Sequence, residues 1–171
     1  MLYRHYIRDI YDSLNFEEIF LIIKMHPNDS LIPNVYLEEL PAHAVRSTHI
    51  FEPNSQTFNF YDLLSIADVL ITRASTAAEE ALLLSTPCIA FDLFQDGPST
   101  GLGRLQESEY FRMCVRGSSD LEEIVQELLN AHITSQVSDT TFIAETTYKL
   151  DGCSTERVCE YLLAIADRSR K

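Results

Sequence analysis

The chain has 171 residues, 26 Asp+Glu against 13 Lys+Arg, and a formal net charge of -13. With 46% hydrophobic and 23% charged residues, it has the composition of a folded globular domain spanning residues 1–171, which excludes a disordered or fibrous chain. The acidic balance and the lack of any basic run exclude general binding to nucleic acid, because displacing the counterions of a polyphosphate needs clustered Lys and Arg.

In chain order, Leu2, Tyr6, Ile10 and Leu14 recur every four residues, with Tyr3, Ile7 and Tyr11 widening the same face, and this period predicts an opening helix. Ile19 to Ile23 is an apolar run rich in branched side chains that continues through Lys24-Met25 to His26-Pro27, which reads as a buried parallel strand with His26 at its C-terminal tip. Residues 28–46 contain Pro33 and Pro41 and show no clean period, so a loop with one short helix from Val35 to Leu40 is expected. A strand follows at Thr48 to Phe51, then a helix from Asn59 to Ala67 and a strand from Asp68 to Thr72 too apolar to face water.

Ser75 and Thr76 stand where a helix cap belongs, ahead of a helix from Ala77 to Leu84 with Glu79 and Glu80 in its first turn. Pro87 to Asp92 reads as another short buried strand, followed by a polar loop over Gln95 to Gly103. Next come a helix near Arg104 to Tyr110, a strand at Met113 to Val115 and a helix from Ser119 to Asn130. A further element is expected over Phe142 to Lys149 and a last helix from Ser154 to Ala166. Strands alternating with helices predict an α/β, doubly wound, Rossmann-like parallel sheet. Such sheets bind ligands beyond the C-terminal ends of their strands, which directs attention to His26, to Thr72 through Thr76 and to Asp92 through Gly103.

The loop from Thr72 to Thr76 offers backbone N–H groups, two hydroxyls and the Arg73 guanidinium, a donor set suited to an anion. A plainer reading is that Ser75 caps the helix and Arg73 is solvated. Glu80, one turn into the helix, has the oxygens to accept from a vicinal diol such as a ribose, or else simply complements the helix dipole. Glu79 points about 100° away and cannot face the same cleft. His26 at a strand tip has the chemistry to hold a phosphate or to move a proton near neutral pH. Asn28-Asp29 reads as turn chemistry.

Gly97 to Gly103 contains a Gly-x-Gly but no dinucleotide fingerprint, and the phosphate-loop, zincin and α/β-hydrolase motifs are missing. Cys88, Cys114, Cys153 and Cys159 include no Cys-x-x-Cys and read as structural thiols in a reducing compartment. The apolar stretches are far shorter than the ~20 residues of a membrane span, and the first residues carry no apolar leader core, so no integral membrane segment and a cytoplasmic location are expected.

Taken together, Lys24-Met-His26-Pro27, Ala67 to Thr72, Ser75-Thr-Ala-Ala-Glu-Glu80-Ala-Leu and Pro87-Cys-Ile-Ala resemble the C-terminal nucleotide-binding half of GT-B glycosyltransferases, closest to bacterial capsular and surface polysaccharide transferases. The resemblance spans roughly Phe16 to Ala166, and the segment from Leu150 to Arg157 followed by a helix looks like the end of that domain. It implies a metal-independent transferase in surface polysaccharide biosynthesis, with no metal and no cofactor and with a CMP-, CDP- or UDP-linked sugar as donor. His26, as catalytic residue, and Ser75-Thr76 would hold the nucleotide phosphate and stabilise its developing charge. Glu80 would meet the ribose, and Arg73 would assist at the phosphate.

Two departures stand out. The family's domain begins with a strand before its first helix, whereas here a helix is expected at once, and the acceptor-binding N-terminal half has no counterpart. The resemblance therefore implies a fragment or a split subunit that is inactive without an N-terminal half, with a partner through which it could sit peripherally at the inner membrane. Alternatives are a UDP-N-acetylglucosamine 2-epimerase-like domain and a non-catalytic subunit that pairs through an exposed sheet edge.

Overall fold

The computed structural model describes residues 2–26, 35–52, 58–73, 75–92, 103–134 and 151–168. The chain divides into two compact units, Met1–Gln136 and Val137–Lys171. Pro27, the Asn28-Asp29 turn, Ala74, most of the loop from Gln95 to Gly103 and the element expected over Phe142 to Lys149 lie outside the described residues.

In the first unit, helix α1 spans Leu2–Ser13, strand β1 Leu21–Lys24, helix α2 Val35–Glu38 and strand β2 Thr48–Phe51. Helix α3 covers Phe60–Ile66, β3 Leu70–Thr72, α4 Ala77–Leu83, β4 Cys88–Phe91, β5 Phe111–Cys114 and α5 Ser118–Thr134. All strand pairs are parallel: β1 pairs with β2, and β4 lies between β3 and β5. The fold class is thus α/β with parallel strands flanked by helices, compatible with a Rossmann-like doubly wound fold. Its hydrogen bonds form a two-stranded and a three-stranded sheet.

Burial separates the strands in a way that apolar content did not. Every residue of β4 is buried, whereas β1 and β3, expected to be equally dry, are half-buried. The reason is position: β4 has a strand on each side and helices on each face. Ile89 and Phe91 join Tyr6, Ile7 and Tyr11 of α1 and Leu121, Val125 and Leu128 of α5 in one core, and α1 packs directly on α5. The pleat turns Cys88 and Ala90 the other way, and α4, which buries Ala78, Ala81 and Leu82, packs on β3 and β4.

Local chemistry fixes the ends of these elements. Asn59 and Asp62 form a reciprocal capping box on α3: the Asn59 side chain accepts from the Asp62 N–H at 2.9 Å and Asp62 Oδ2 accepts from the Asn59 N–H at 3.3 Å. The chain reverses after α4 through Ser85, whose φ of 62° is the left-handed conformation that ends many helices. The Thr86 hydroxyl then donates to the Leu64 carbonyl at 2.9 Å, tying the end of α3 to the start of β4. Two expected elements are corrected. The helix near Arg104 to Tyr110 is a shorter 3-10 helix, Gly103–Glu107, and the loop before β2 contains a second 3-10 helix, Ala42–Ser47, where Pro41 at the cap has no N–H to continue an α-helix backwards.

Arg4 and Arg8 of α1 both bind Glu39, beyond α2, and Arg4 also binds Glu38. The Arg8 and Arg4 hydrogen bonds hold the Glu39 carboxyl below its ordinary range against the opposing effect of desolvation. Nearby, the Tyr11 hydroxyl donates to the Tyr36 carbonyl at 2.7 Å, and burial first and the Glu39 charge second push its phenol from 10.0 to about 12. A raised phenol favours the folded state at neutral pH. The unfolded chain ionises from 10.0 upward and the folded one resists until about 12, so this stability is lost across that window. Urea unfolding of the wild type should therefore weaken steeply between these values, and Tyr11→Phe, although about 1 kcal/mol less stable at neutral pH, should show a shallower alkaline slope.

The second unit is described over residues 151–168, where helix α6 spans Ser154–Arg168. Its start is held by Asp151, which accepts from the Cys153 N–H at 3.0 Å and takes both carboxylate oxygens to Arg157 at 2.8 Å. Arg157 accordingly keeps the Asp151 carboxyl below its ordinary value. All four cysteines are free; Cys88 and Cys114 are buried, and burial pushes the Cys88 thiol up to about 12.

Candidate functional site

The three-stranded sheet delivers two chain exits to one edge. Thr72 of β3 is in register with Ala90 of β4, so Arg73 emerges level with Phe91, one residue short of Asp92, at the C-terminal ends of parallel strands. Arg73 is exposed and its guanidinium carbon stands 5.2 Å from the centre of the Tyr6 ring. Asp92 is only 5% exposed, and one of its oxygens accepts from the Tyr6 hydroxyl at 3.3 Å. Tyr6 itself is buried, with its ring edge-on to Phe91 at 5.4 Å. Helix α1 thus reaches across the strand ends and inserts one aromatic side chain between the Arg73 cation and the buried Asp92 carboxylate.

The residues after Arg73 are arranged by the start of α4. Ser75 and Thr76 are both exposed. Ser75 Oγ accepts from the Ala77 N–H at 3.2 Å and the Ser75 carbonyl accepts from the Ala78 N–H at 3.1 Å. Thr76 occupies the cap position with a helical backbone, and its side chain makes no capping hydrogen bond. Two N–H groups that an anion would use are therefore engaged within the turn, and α4 is only 7 residues long, a weak dipole source. The Arg73 guanidinium and the Ser75 and Thr76 hydroxyls are the side-chain donor groups carried by this exit. Half-buried Glu80 accepts from the Tyr61 hydroxyl at 3.2 Å, a bond that raises the Tyr61 phenol above its ordinary value. Tyr61 is 55% exposed at the start of α3, beside Phe60 at 6.0 Å.

His26 sits elsewhere in the fold. It is exposed and follows Met25, whose N–H extends the β1–β2 ladder to the Phe51 carbonyl at 3.2 Å. It therefore belongs to the two-stranded sheet, whereas Arg73, Ser75, Thr76 and Glu80 belong to the connection after β3 in the three-stranded one. Tyr6 was legible only as one of the apolar positions of a helix face, and Asp92 only as a strand exit. Their pairing spans 86 residues and has no local signal.

A separate hollow of about 310 Å³ is floored by Met25, Leu40 and Ile50 and rimmed by Thr48, His49 and Glu52. Among the described residues no cluster of three or more His, Cys, Asp or Glu side chains is placed to hold a metal, and no helix is long and apolar enough to cross a membrane. No family model, curated protein or solved structure matches this chain.

Proposed function

We propose that the first unit is a nucleotide-sugar-binding module of the GT-B glycosyltransferase type, taking a CMP-, CDP- or UDP-linked donor for surface polysaccharide assembly. The observation that carries this reading is the succession of Arg73, Thr76 and Glu80 at the C-terminal exit of a parallel strand, the position where α/β sheets hold ligands. In this reading Arg73 and the Thr76 hydroxyl bind the phosphate, and their fixed positive charge and dipole stabilise the charge that grows on the departing nucleotide. Ser75 accepts from the Ala77 N–H, which shapes the turn and leaves its O–H proton to donate to the same phosphate. Glu80 has about four acceptor sites, one of them used by Tyr61, which leaves oxygen lone pairs for ribose hydroxyls. His26 supplies the proton or the second phosphate contact from the β1 exit, and the acceptor's base comes from another half of the enzyme.

Calorimetric titration of the full chain with CMP, CDP and UDP tests this. Binding of one of them is expected, and Arg73→Ala should weaken it about ten- to a hundredfold, the effect of one charge-assisted hydrogen bond or more. If none of the three binds, or if Arg73→Ala binds as tightly as the wild type, the reading fails.

A second reading, a subunit that works only when paired with another polypeptide, is favoured by α6. Val158, Tyr161, Leu162 and Ile165 follow the helical period and form one apolar stripe along this helix.

A further inference from the structure

We infer that Tyr6 of α1 is a positioning residue for the phosphate-binding guanidinium, so that the N-terminal helix is part of the ligand site rather than only a cover for the core. The inference rests on the nucleotide-binding reading and assigns a role to three residues together. An exposed arginine loses side-chain rotamer freedom when it grips a ligand unless something fixes it beforehand. Tyr6 provides such a fixture, with its ring centre 5.2 Å from the Arg73 guanidinium carbon.

The ring is in turn held from three sides. The body of Tyr6 is 7% exposed in the α1 core, Phe91 meets it edge-to-face at 5.4 Å, and its hydroxyl donates to Asp92 at 3.3 Å. A solvated surface arginine needs no such platform, and a tyrosine serving only the core needs no cation over its face. The arrangement keeps Arg73 at the β3 exit, where its planar fork suits the two oxygens of a phosphate.

The test compares Tyr6→Leu, Tyr6→Phe, Arg73→Ala and the Tyr6→Leu/Arg73→Ala double variant, titrated with whichever of CMP, CDP and UDP binds the wild type best. Tyr6→Leu should weaken binding about five- to tenfold, and Tyr6→Phe, which keeps the ring, should restore most of it. In the Arg73→Ala background the Tyr6→Leu change should have no further effect, a non-additivity that a merely structural role would not produce. In the free wild-type protein, NMR should show the Arg73 side-chain protons displaced by the ring current of Tyr6, a measurement that does not depend on Tyr6→Leu folding. Undisplaced Arg73 protons, wild-type affinity in Tyr6→Leu, or equal losses in both backgrounds would overturn the inference while leaving the nucleotide site standing. Failure of all three nucleotides to bind the wild type would instead remove both.

Discussion

Replacing Phe91 by alanine should cost about 3–5 kcal/mol, a large part of the roughly 5–15 kcal/mol that stabilises a domain of this kind. Phe91 is 1% exposed at the end of β4, which is buried throughout, and it belongs to the core shared by α1 and α5. The truncation removes the transfer free energy of the ring and leaves a cavity that β4, pinned between β3 and β5, has little freedom to fill. It also removes the edge-to-face contact with Tyr6 at 5.4 Å. Urea unfolding followed by circular dichroism should show a midpoint lowered by about a fifth or more with little change of slope. A loss below about 1 kcal/mol would mean that α1 does not pack on this face. If the proposed nucleotide site holds, its affinity in the folded fraction should fall as well, and by less than in Arg73→Ala, because Phe91 contacts the Tyr6 ring.

On the opposite side of the sheet, Ala81→Asp should prevent folding near neutral pH. Ala81 is 0% exposed on α4, the helix that packs on β3 and β4 and also buries Ala78 and Leu82. A carboxylate there would be stripped of water without a partner, at a cost of several kcal/mol. The sign of the pH effect follows from the same burial. Burial favours the neutral acid, so the folded-state pKa of the introduced group lies above its unfolded value of about 3.9. The penalty is therefore greatest at neutral pH and recedes as pH falls toward the unfolded value. Circular dichroism from neutral to mildly acidic pH should show partial recovery of helix in Ala81→Asp, and Ala81→Leu, which overpacks without a charge, should show none. A folded Ala81→Asp protein at neutral pH would mean that this face of the sheet is wet.

Much of the first unit was legible because it is written in short windows. The four-residue recurrence from Leu2 to Leu14 made α1, the Asn59 to Asp62 spacing made the capping box of α3, and the apolar run from Pro87 to Asp92 made β4. The strand exits were legible for the same reason, and so Arg73, Ser75, Thr76 and Glu80 could be named from their place after β3. Period and composition could not show which strand is central. Ile19 to Ile23 is as apolar as the β4 run, yet β1 is half-buried because its described ladder has only one partner strand, whereas β4 has two.

Side-chain commitments inside the site were equally illegible. The Ser75 oxygen accepts from the Ala77 N–H while its O–H remains a donor, and Glu80 shares its carboxylate with Tyr61, 19 residues earlier. By itself the sequence determined the succession of helices and parallel strands and the residues that close each strand, since these depend on neighbours three or four positions away. Only the tertiary structure decided that a tyrosine near the N-terminus stands between Arg73 and Asp92. That contact exists because packing α1 against α5 over β4 brings residues 86 positions apart within hydrogen-bonding distance, and no local pattern encodes such a closure.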